Sequence, residues 1–139
     1  MSNERAVTLT WSGEGLRFEG RGTSPTSPAI TVDGDGEAGP SPMLTLLLAA
    51  AGCSGADVVS ILQKMRVTIT AFRVDLRGTR REENPRRYTA IAYHFRLTSP
   101  NATQAQLDHA AELSLEKYCS VAHTLAPDVV ITRETTLER

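Results

Sequence analysis

The most apolar stretch of the chain, residues 41–66 (SPMLTLLLAAAGCSGADVVSILQKMR), limits which folds are open to it. Ser41 followed by Pro42 predicts a helix start, because the serine hydroxyl accepts from free amides and proline needs no donor there. Apolar residues then recur at spacings of three and four, as on one face of a helix. These residues are Leu44, Leu47, Leu48 and Ala51, and later Val58, Ile61, Leu62 and Met65. The sequence therefore predicts a central core helix.

The predicted helix is apolar over more than one stripe. Three consecutive leucines, residues 46–48, come shortly before three consecutive alanines. One small sheet covers only one side of such a helix, so apolar surface would face water. A second copy of the chain is the simplest cover, and we expect a homodimer.

The middle of this stretch is less regular. Gly52 and Gly55 bracket Cys53, and each glycine lowers helix stability. Ser54, with Asp57 three residues later, approximates the capping box that begins a helix. The sequence thus predicts a break or kink at these glycines, between a short helix and a longer one. Cys53 would then lie at a helix start, where the peptide dipoles stabilise a thiolate.

Alternating apolar and polar residues predict strands on both sides of this helix. They cover residues 7–11, 16–18 and 29–32 before it, and 67–79, 88–99 and 129–138 after it. A second helix over residues 103–118 ends beside Cys119, and Ser120 is predicted to cap a short turn. This order predicts an α+β fold with mainly antiparallel pairing. We expect the whole chain, residues 1–139, to form a single domain.

Charge and composition argue against several functions. The net charge of −1 gives no general attraction to nucleic acid or anionic membranes, and the mixed-sign segment RREENPRR is typical of a solvated loop. The apolar run from Met43 ends at Asp57, short of the roughly 20 residues that cross a membrane. We expect no secretory signal, and a cytoplasmic protein with reduced cysteines. The segment DGDGEAGPSP lacks the glycine and glutamate of a calcium loop and is predicted to be a turn.

The two cysteines, Cys53 and Cys119, each precede a serine at a predicted helix boundary. This matched setting favours a redox pair. Two alternatives stay open, because free cysteine is commonly a small buried hydrophobe and because Cys119, His123 and Cys53 could together bind a metal. The absence of a CxxC motif or a second close histidine disfavours the metal site.

Three segments together carry a family resemblance. SPM…LAAAGCSGADVVSILQK, RREENPRRYTAIAYHF and LSLEKYCSVAHTL resemble the OsmC/Ohr family of thiol-dependent hydroperoxide reductases, in particular its OsmC-like branch. The resemblance extends over nearly the whole chain from Trp11 onward. It implies an α+β fold in which mainly antiparallel sheets wrap long central apolar helices in an intertwined, cytoplasmic homodimer. The active sites would lie at the dimer interface.

The resemblance also implies an activity. Organic hydroperoxides would be reduced, as part of oxidative or osmotic stress defence, through a Cys53–Cys119 disulfide cycle that an external dithiol reductant renews. Cys53 would attack the peroxide and Cys119 would resolve the sulfenic acid. Leu47, Ala50 and the partner's Phe18 would line an apolar pocket for the substrate. No metal and no organic cofactor is implied.

The arginine that holds the attacking thiolate in the family corresponds to Arg17, although Arg21 is close enough to compete. The carboxylate that orients this arginine does not carry over, because Met43 and Leu44 occupy its region. This departure keeps two other functions open on the same fold. One is a binding module for small molecules or lipids without turnover, and the other is a thiol redox sensor.

Overall fold

A computed structural model describes residues 3–139, which form two compact units that meet in sequence at residues 46 and 47. The strands are β1 (Val7–Trp11), β2 (Arg17–Gly22), β3 (Ala29–Asp33), β4 (Ala71–Arg80), β5 (Tyr88–Thr98) and β6 (Val130–Glu138). The helices are α1 (Pro42–Lys64), α2 (Gln104–Leu113) and α3 (Ser120–Thr124), with a π-helical segment, Ser114–Tyr118, between α2 and α3. This order confirms the predicted α+β fold.

The N-terminal unit is built on an antiparallel sheet in the order β1-β2-β3. Because paired residues point to the same side of a sheet, one face collects the apolar side chains. The exposed fractions are 78% for Val7, 56% for Leu9, 56% for Trp11 and 57% for Ile30. An exposed apolar face of this size is typical of a surface that another molecule covers.

The C-terminal unit contains the buried core. In its sheet, of order β4-β5-β6, the first pair is antiparallel and the second is parallel. Alternate residues of β5 are almost completely buried, and so is one face of α1. The β5 residues are Ile91, Tyr93, Phe95 and Leu97, and the α1 residues are Ala50, Ser54, Val58 and Leu62.

Helix α1 is continuous over 23 residues, so the predicted break at the glycines is wrong. Gly55 is buried, and a Cβ at that position would lie 3.5 Å from Val74 and 3.7 Å from Phe72 of β4. Packing of this face against the sheet therefore outweighs the low helix propensity of glycine. Cys53 lies in the middle of the helix, and the predicted stabilisation by a helix start does not apply, because that effect is confined to the first turn.

The length of α1 bears on membrane crossing. Among the described residues it is the one helix long and apolar enough to span a membrane, because Asp57 does not end it. The apolar run predicted from the sequence ends at Asp57, whereas the helix continues through Asp57 to Lys64. The core helix of a soluble protein meets the same criterion, so length and composition alone are weak evidence for a membrane span.

The segment around Cys119 differs from prediction by one residue. Thr103 caps α2 through a capping box with Gln106. After the π-helical segment, Cys119 rather than Ser120 is the N-cap of α3, and its sulfur accepts from the amide of Ala122. The predicted cap at Ser120 is thus wrong, and the cysteine itself occupies that position.

Candidate active site

Cys53 and Cys119 come together in the C-terminal unit. Both are free thiols; Cys53 is half-buried and Cys119 is completely buried. The two side chains are near neighbours, close enough for Cys53 to raise the pKa of Cys119. Two sulfurs in contact, one accessible and one buried, meet the geometric need of an attacking and a resolving thiol.

The environment of Cys119 favours its protonated form. Burial is the main cause that raises its pKa, to about 11, and the hydrogen bond with Cys53 and the charges of Cys53 and Asp57 act in the same direction. The amide of Ala122, 3.4 Å from the sulfur, opposes this shift. At neutral pH Cys119 is therefore a thiol, which is a poor nucleophile until it is deprotonated.

A buried polar connection joins the two cysteine-bearing elements. Ser54 of α1 and Ser114 of the π-helical segment form a hydrogen bond of 2.8 Å between their hydroxyl groups. The Ser114 hydroxyl also lies 2.9 Å from Asp57 Oδ2. Ser54 and Asp57 were predicted to cap a helix, but their side chains serve this tertiary contact instead. The sequence singles out Ser54 and Asp57 but does not predict their common partner, Ser114.

Arg17 lies at the start of β2, in the N-terminal unit, and three carboxylates surround it. Its guanidinium nitrogens are 3.5 Å from Glu14, 3.7 Å from Asp33 and 3.8 Å from Glu37. Of these, Asp33 is buried, with 1% of its surface exposed, whereas both glutamates are largely exposed. The chain thus supplies Arg17 with a fixed carboxylate at a position that sequence reasoning did not consider.

Backbone amides hold the Asp33 carboxylate in place. Its oxygens accept from the amides of Asp35 at 2.9 Å, Glu37 at 3.2 Å and Ala38 at 2.9 Å. The Ala38 and Asp35 amides are the main causes that hold the pKa of Asp33 below its ordinary value, and Arg17 adds a smaller contribution. A signal for this pair was present, because an antiparallel β2–β3 hairpin places Arg17 opposite Asp33.

Arg21, the competing arginine, has a different environment. It lies on the same strand as Arg17 and forms an ion pair with Glu19, and both side chains are well exposed. Exposed pairs of this kind contribute little to holding a side chain in one orientation. Arg17 differs from Arg21 in having a buried carboxylate, that of Asp33, 3.7 Å from its guanidinium.

A cavity of about 490 Å³ lies between α1 and the π-helical segment. It is lined by Asp57, Ser60, Ile61, Lys64, Met65, Leu113 and Tyr118, and by neither cysteine. The predicted pocket at Leu47 and Ala50, completed by a partner's Phe18, stays a prediction. Within residues 3–139, no group of three or more potential metal-binding side chains comes together.

The family model for OsmC-like proteins matches residues 34–134, which is most of the chain. The chain belongs to the OsmC-like family. Both cysteines lie inside the range that matches this family, whereas Arg17 precedes it. The resemblance inferred from the three sequence segments is thereby confirmed.

Relatives of this member of the OsmC-like family cover its whole fold. Protein YhfA of Escherichia coli (strain K12) is 48% identical over 120 residues, which cover 86% of this chain and 88% of YhfA. The crystal structure of a hypothetical protein from Aquifex aeolicus VF5 is 31% identical, with a TM-score of 0.83, and covers 99% of this chain and 100% of that one. The organic hydroperoxide resistance protein OhrB of Bacillus subtilis has a TM-score of 0.61 at 12% identity, and the match covers 96% of this chain and 98% of OhrB. At that identity the likeness concerns the fold alone.

Proposed function

We propose that the protein is a cysteine-based peroxidase that reduces organic hydroperoxides through a Cys53–Cys119 disulfide. The observation that carries this proposal is the contact between an accessible thiol and a buried thiol. The fold shared with an organic hydroperoxide resistance protein is consistent with it.

In the first step the Cys53 thiolate attacks the terminal oxygen of the hydroperoxide. The O–O bond breaks, the alcohol leaves with a proton, and Cys53 becomes a sulfenic acid. Cys53 is assigned this step because it is the more accessible of the two sulfurs. Cys119 is unsuited to it, since burial raises its pKa to about 11 and keeps the sulfur protonated.

In the second step Cys119 attacks the sulfenic sulfur. A disulfide forms and water leaves, which protects Cys53 from over-oxidation. A dithiol reductant then restores both thiols by exchange. The connection among Ser54, Ser114 and Asp57 supports this step, because it ties the helix that carries Cys53 to the segment that precedes Cys119.

Arg17 is proposed to hold the Cys53 thiolate in the assembled protein. Its ion pair with the buried Asp33 supports this role, because a guanidinium fixed by a carboxylate is already oriented for a second anion. Asp33 would do for Arg17 what the missing carboxylate in the Met43–Leu44 region does elsewhere in the family.

The functional form is proposed to be a cytoplasmic homodimer. Leu44 and Leu48 of α1 are 53% and 61% exposed, although the helix is the most apolar element of the chain. Cover by a second copy would bury this surface and supply the apolar lining that favours organic substrates over hydrogen peroxide.

Intact-protein mass after stoichiometric cumene hydroperoxide tests the proposal. Wild type should lose two hydrogens as the disulfide forms. Cys119→Ser should gain oxygen and over-oxidise with excess peroxide, because nothing adjacent can condense with its sulfenic acid. Cys53→Ser should stay unchanged, because a serine hydroxyl is a poor nucleophile at neutral pH.

The same experiment separates the other functions. If the two variants exchange behaviour, the roles of the cysteines are reversed. A disulfide that forms once but does not turn over with a dithiol would indicate a redox sensor. Wild type that is inert to organic hydroperoxides would remove the peroxidase and favour the binding module.

A further inference from the structure

Tyr93 is a buried tyrosine whose hydroxyl is unpaired. Its side chain is 1% exposed, and its ring stacks on that of Phe95 with centroids 5.8 Å apart. Within residues 3–139, the Tyr93 hydroxyl is the buried side-chain oxygen or nitrogen that lacks a hydrogen-bond partner. Buried polar groups are nearly always paired, so this exception calls for an explanation.

The packing of α1 on β4 locates this hydroxyl along the helix. A Cβ on Gly78 would lie 3.2 Å from Leu47, and a Cβ on Gly55 would lie 3.5 Å from Val74. On β4, Gly78 therefore faces α1 near residue 47, and Val74 faces α1 near residue 55. The residue of β4 midway between them, Leu76, faces the same side because strand side chains alternate.

Tyr93 is the β5 partner of Leu76, so it points to the same side of the sheet. It therefore faces the stretch of α1 between residues 47 and 55, which includes Cys53. Both sulfurs are near enough to the Tyr93 hydroxyl to raise its pKa when they are ionised, Cys119 more strongly. Tyr93 thus carries an unpaired buried donor on the side of the sheet that faces the helix segment with Cys53.

Tyr93 can act only as a donor in this place. Burial is the main cause that raises its pKa to about 12, and the negative charges of Cys119 and Cys53 add to the shift. The hydroxyl is therefore protonated throughout the physiological pH range. A donor without an acceptor in the dithiol state gains one when oxygen is bound to sulfur.

We propose that Tyr93 is a catalytic residue of the resolving step, in which its hydroxyl hydrogen bonds to the sulfenic oxygen on Cys53 and protonates that oxygen as it leaves. This inference rests on the proposed peroxidase function, which names the oxidant as an organic hydroperoxide. In this proposal the hydrogen-bond partner of the unpaired hydroxyl is a reaction intermediate, and it is absent from the resting protein.

The atoms of the step balance. Cys119 first releases its proton, and its thiolate attacks the Cys53 sulfur, so that the S–S bond forms while the S–O bond breaks. The Cys53 sulfur is reduced and the Cys119 sulfur is oxidised. The departing hydroxide takes the Tyr93 proton and leaves as water. The Tyr93 phenolate then takes up a proton from solvent, which balances the proton that Cys119 released to solvent.

Tyr93→Phe tests the proposal, because it removes the hydroxyl and keeps the stacked ring. After stoichiometric cumene hydroperoxide and acid quenching, intact mass should show that the variant gains oxygen as fast as wild type. The oxygen-bearing species should then accumulate, because disulfide formation should be roughly 10²-fold slower without the acid. The unfolding midpoint of the reduced variant should be no lower than that of wild type, since the lost hydroxyl had no partner.

Tyr88→Phe is the matched control. Tyr88 is also buried on β5, with 6% of its surface exposed, and the proposal gives it no part in the reaction. In Tyr88→Phe the Cys53–Cys119 disulfide should form at the wild-type rate. Equal rates in wild type and Tyr93→Phe would overturn the role of Tyr93 and leave the peroxidase intact, and so would a variant slowed only in gaining oxygen. Wild type that neither gains oxygen nor loses two hydrogens would overturn both.

Discussion

Ser54 on α1 and Ser114 at the start of the π-helical segment share a buried hydrogen bond of 2.8 Å. Ser54 is adjacent in sequence to Cys53, and the Ser114 carbonyl accepts from the Cys119 amide at 2.7 Å. Each serine is thus bonded, covalently or by hydrogen bond, to the backbone of one cysteine. Their contact therefore links the backbone segments that carry the two cysteines.

Ser114→Ala should therefore affect both stability and disulfide closure. The change leaves the Ser54 hydroxyl and the Asp57 carboxylate without this partner, at a cost of about 1–3 kcal/mol in unfolding free energy. Disulfide formation should slow, while the first gain of oxygen at Cys53 should not. Chemical denaturation and the mass time course measure the two effects. Ser120→Ala, at an exposed position beside Cys119, is the control, and a wild-type closure rate in Ser114→Ala would contradict the argument.

Arg17→Ala should slow alkylation of Cys53 at neutral pH. In the proposed function Arg17 is the cation that favours the Cys53 thiolate, so its loss should reduce the alkylation rate about tenfold. Iodoacetamide labelling in the Cys119→Ser background follows Cys53 alone. Arg21→Ala should behave like the parent protein, because Arg21 pairs with exposed Glu19. If Arg21→Ala is the slow variant, the thiolate partner is Arg21.

Asp33→Asn should destabilise the protein near neutral pH. Asparagine would turn an NH₂ group toward amides that now donate to the carboxylate. The folded-state pKa of Asp33 lies below its ordinary value of 3.8, so its stabilising contribution is complete above pH 3.8 and is lost as pH falls through the folded pKa. The difference in melting temperature between wild type and variant should shrink in strong acid. A constant difference from pH 7 to pH 2 would argue against an ionised Asp33.

Much of the fold was predictable from the sequence because the information is local. Strand alternation gave β1 and β5, and the spacing of leucines gave α1. The predicted break at Gly52 and Gly55 failed because local helix propensity was weighed without the sheet against which Gly55 packs. Packing against the sheet keeps the helix continuous at these glycines, and the sequence of the helix alone does not show this packing.

The candidate site was predictable for its cysteines and not for their supporting residues. Cys53 and Cys119 have a chemistry that sequence can recognise. The pair of Ser54 and Ser114 connects residues 60 apart, and a serine has many possible partners. The lack of a partner for the Tyr93 hydroxyl can be recognised only from its three-dimensional surroundings, so no sequence pattern could have predicted it.

The protein should be a dimer of about 30 kDa, twice the 15.1 kDa of one chain. Leu48→Glu should weaken the dimer, because Leu48 is 61% exposed on α1 and a charge there would be buried at the interface. Gln63→Glu adds the same charge to an exposed polar position of the same helix and should leave the dimer intact. Light scattering at micromolar concentration measures the mass. A folded wild-type monomer would remove the dimer and the location of the site at its interface.

Disulfide closure should accelerate as pH rises. The attacking species in this step is the Cys119 thiolate, and the pKa of Cys119 is raised to about 11, mainly by burial. Burial is present in the sulfenic state as well, so the thiolate fraction should rise roughly tenfold per unit between pH 6 and pH 8.

Rapid acid quenching and intact mass, after stoichiometric cumene hydroperoxide, give the rate at which the oxygen-bearing protein loses water. The logarithm of this rate should rise with a slope near one. In Tyr93→Phe the whole profile should lie lower with the same slope, because the variant lacks the acid and keeps the nucleophile. Cys119→Ser should not close at any pH. A profile that is flat from pH 6 to pH 8 would mean that deprotonation of Cys119 does not limit closure, and that the buried thiol reacts in a proton-coupled step instead.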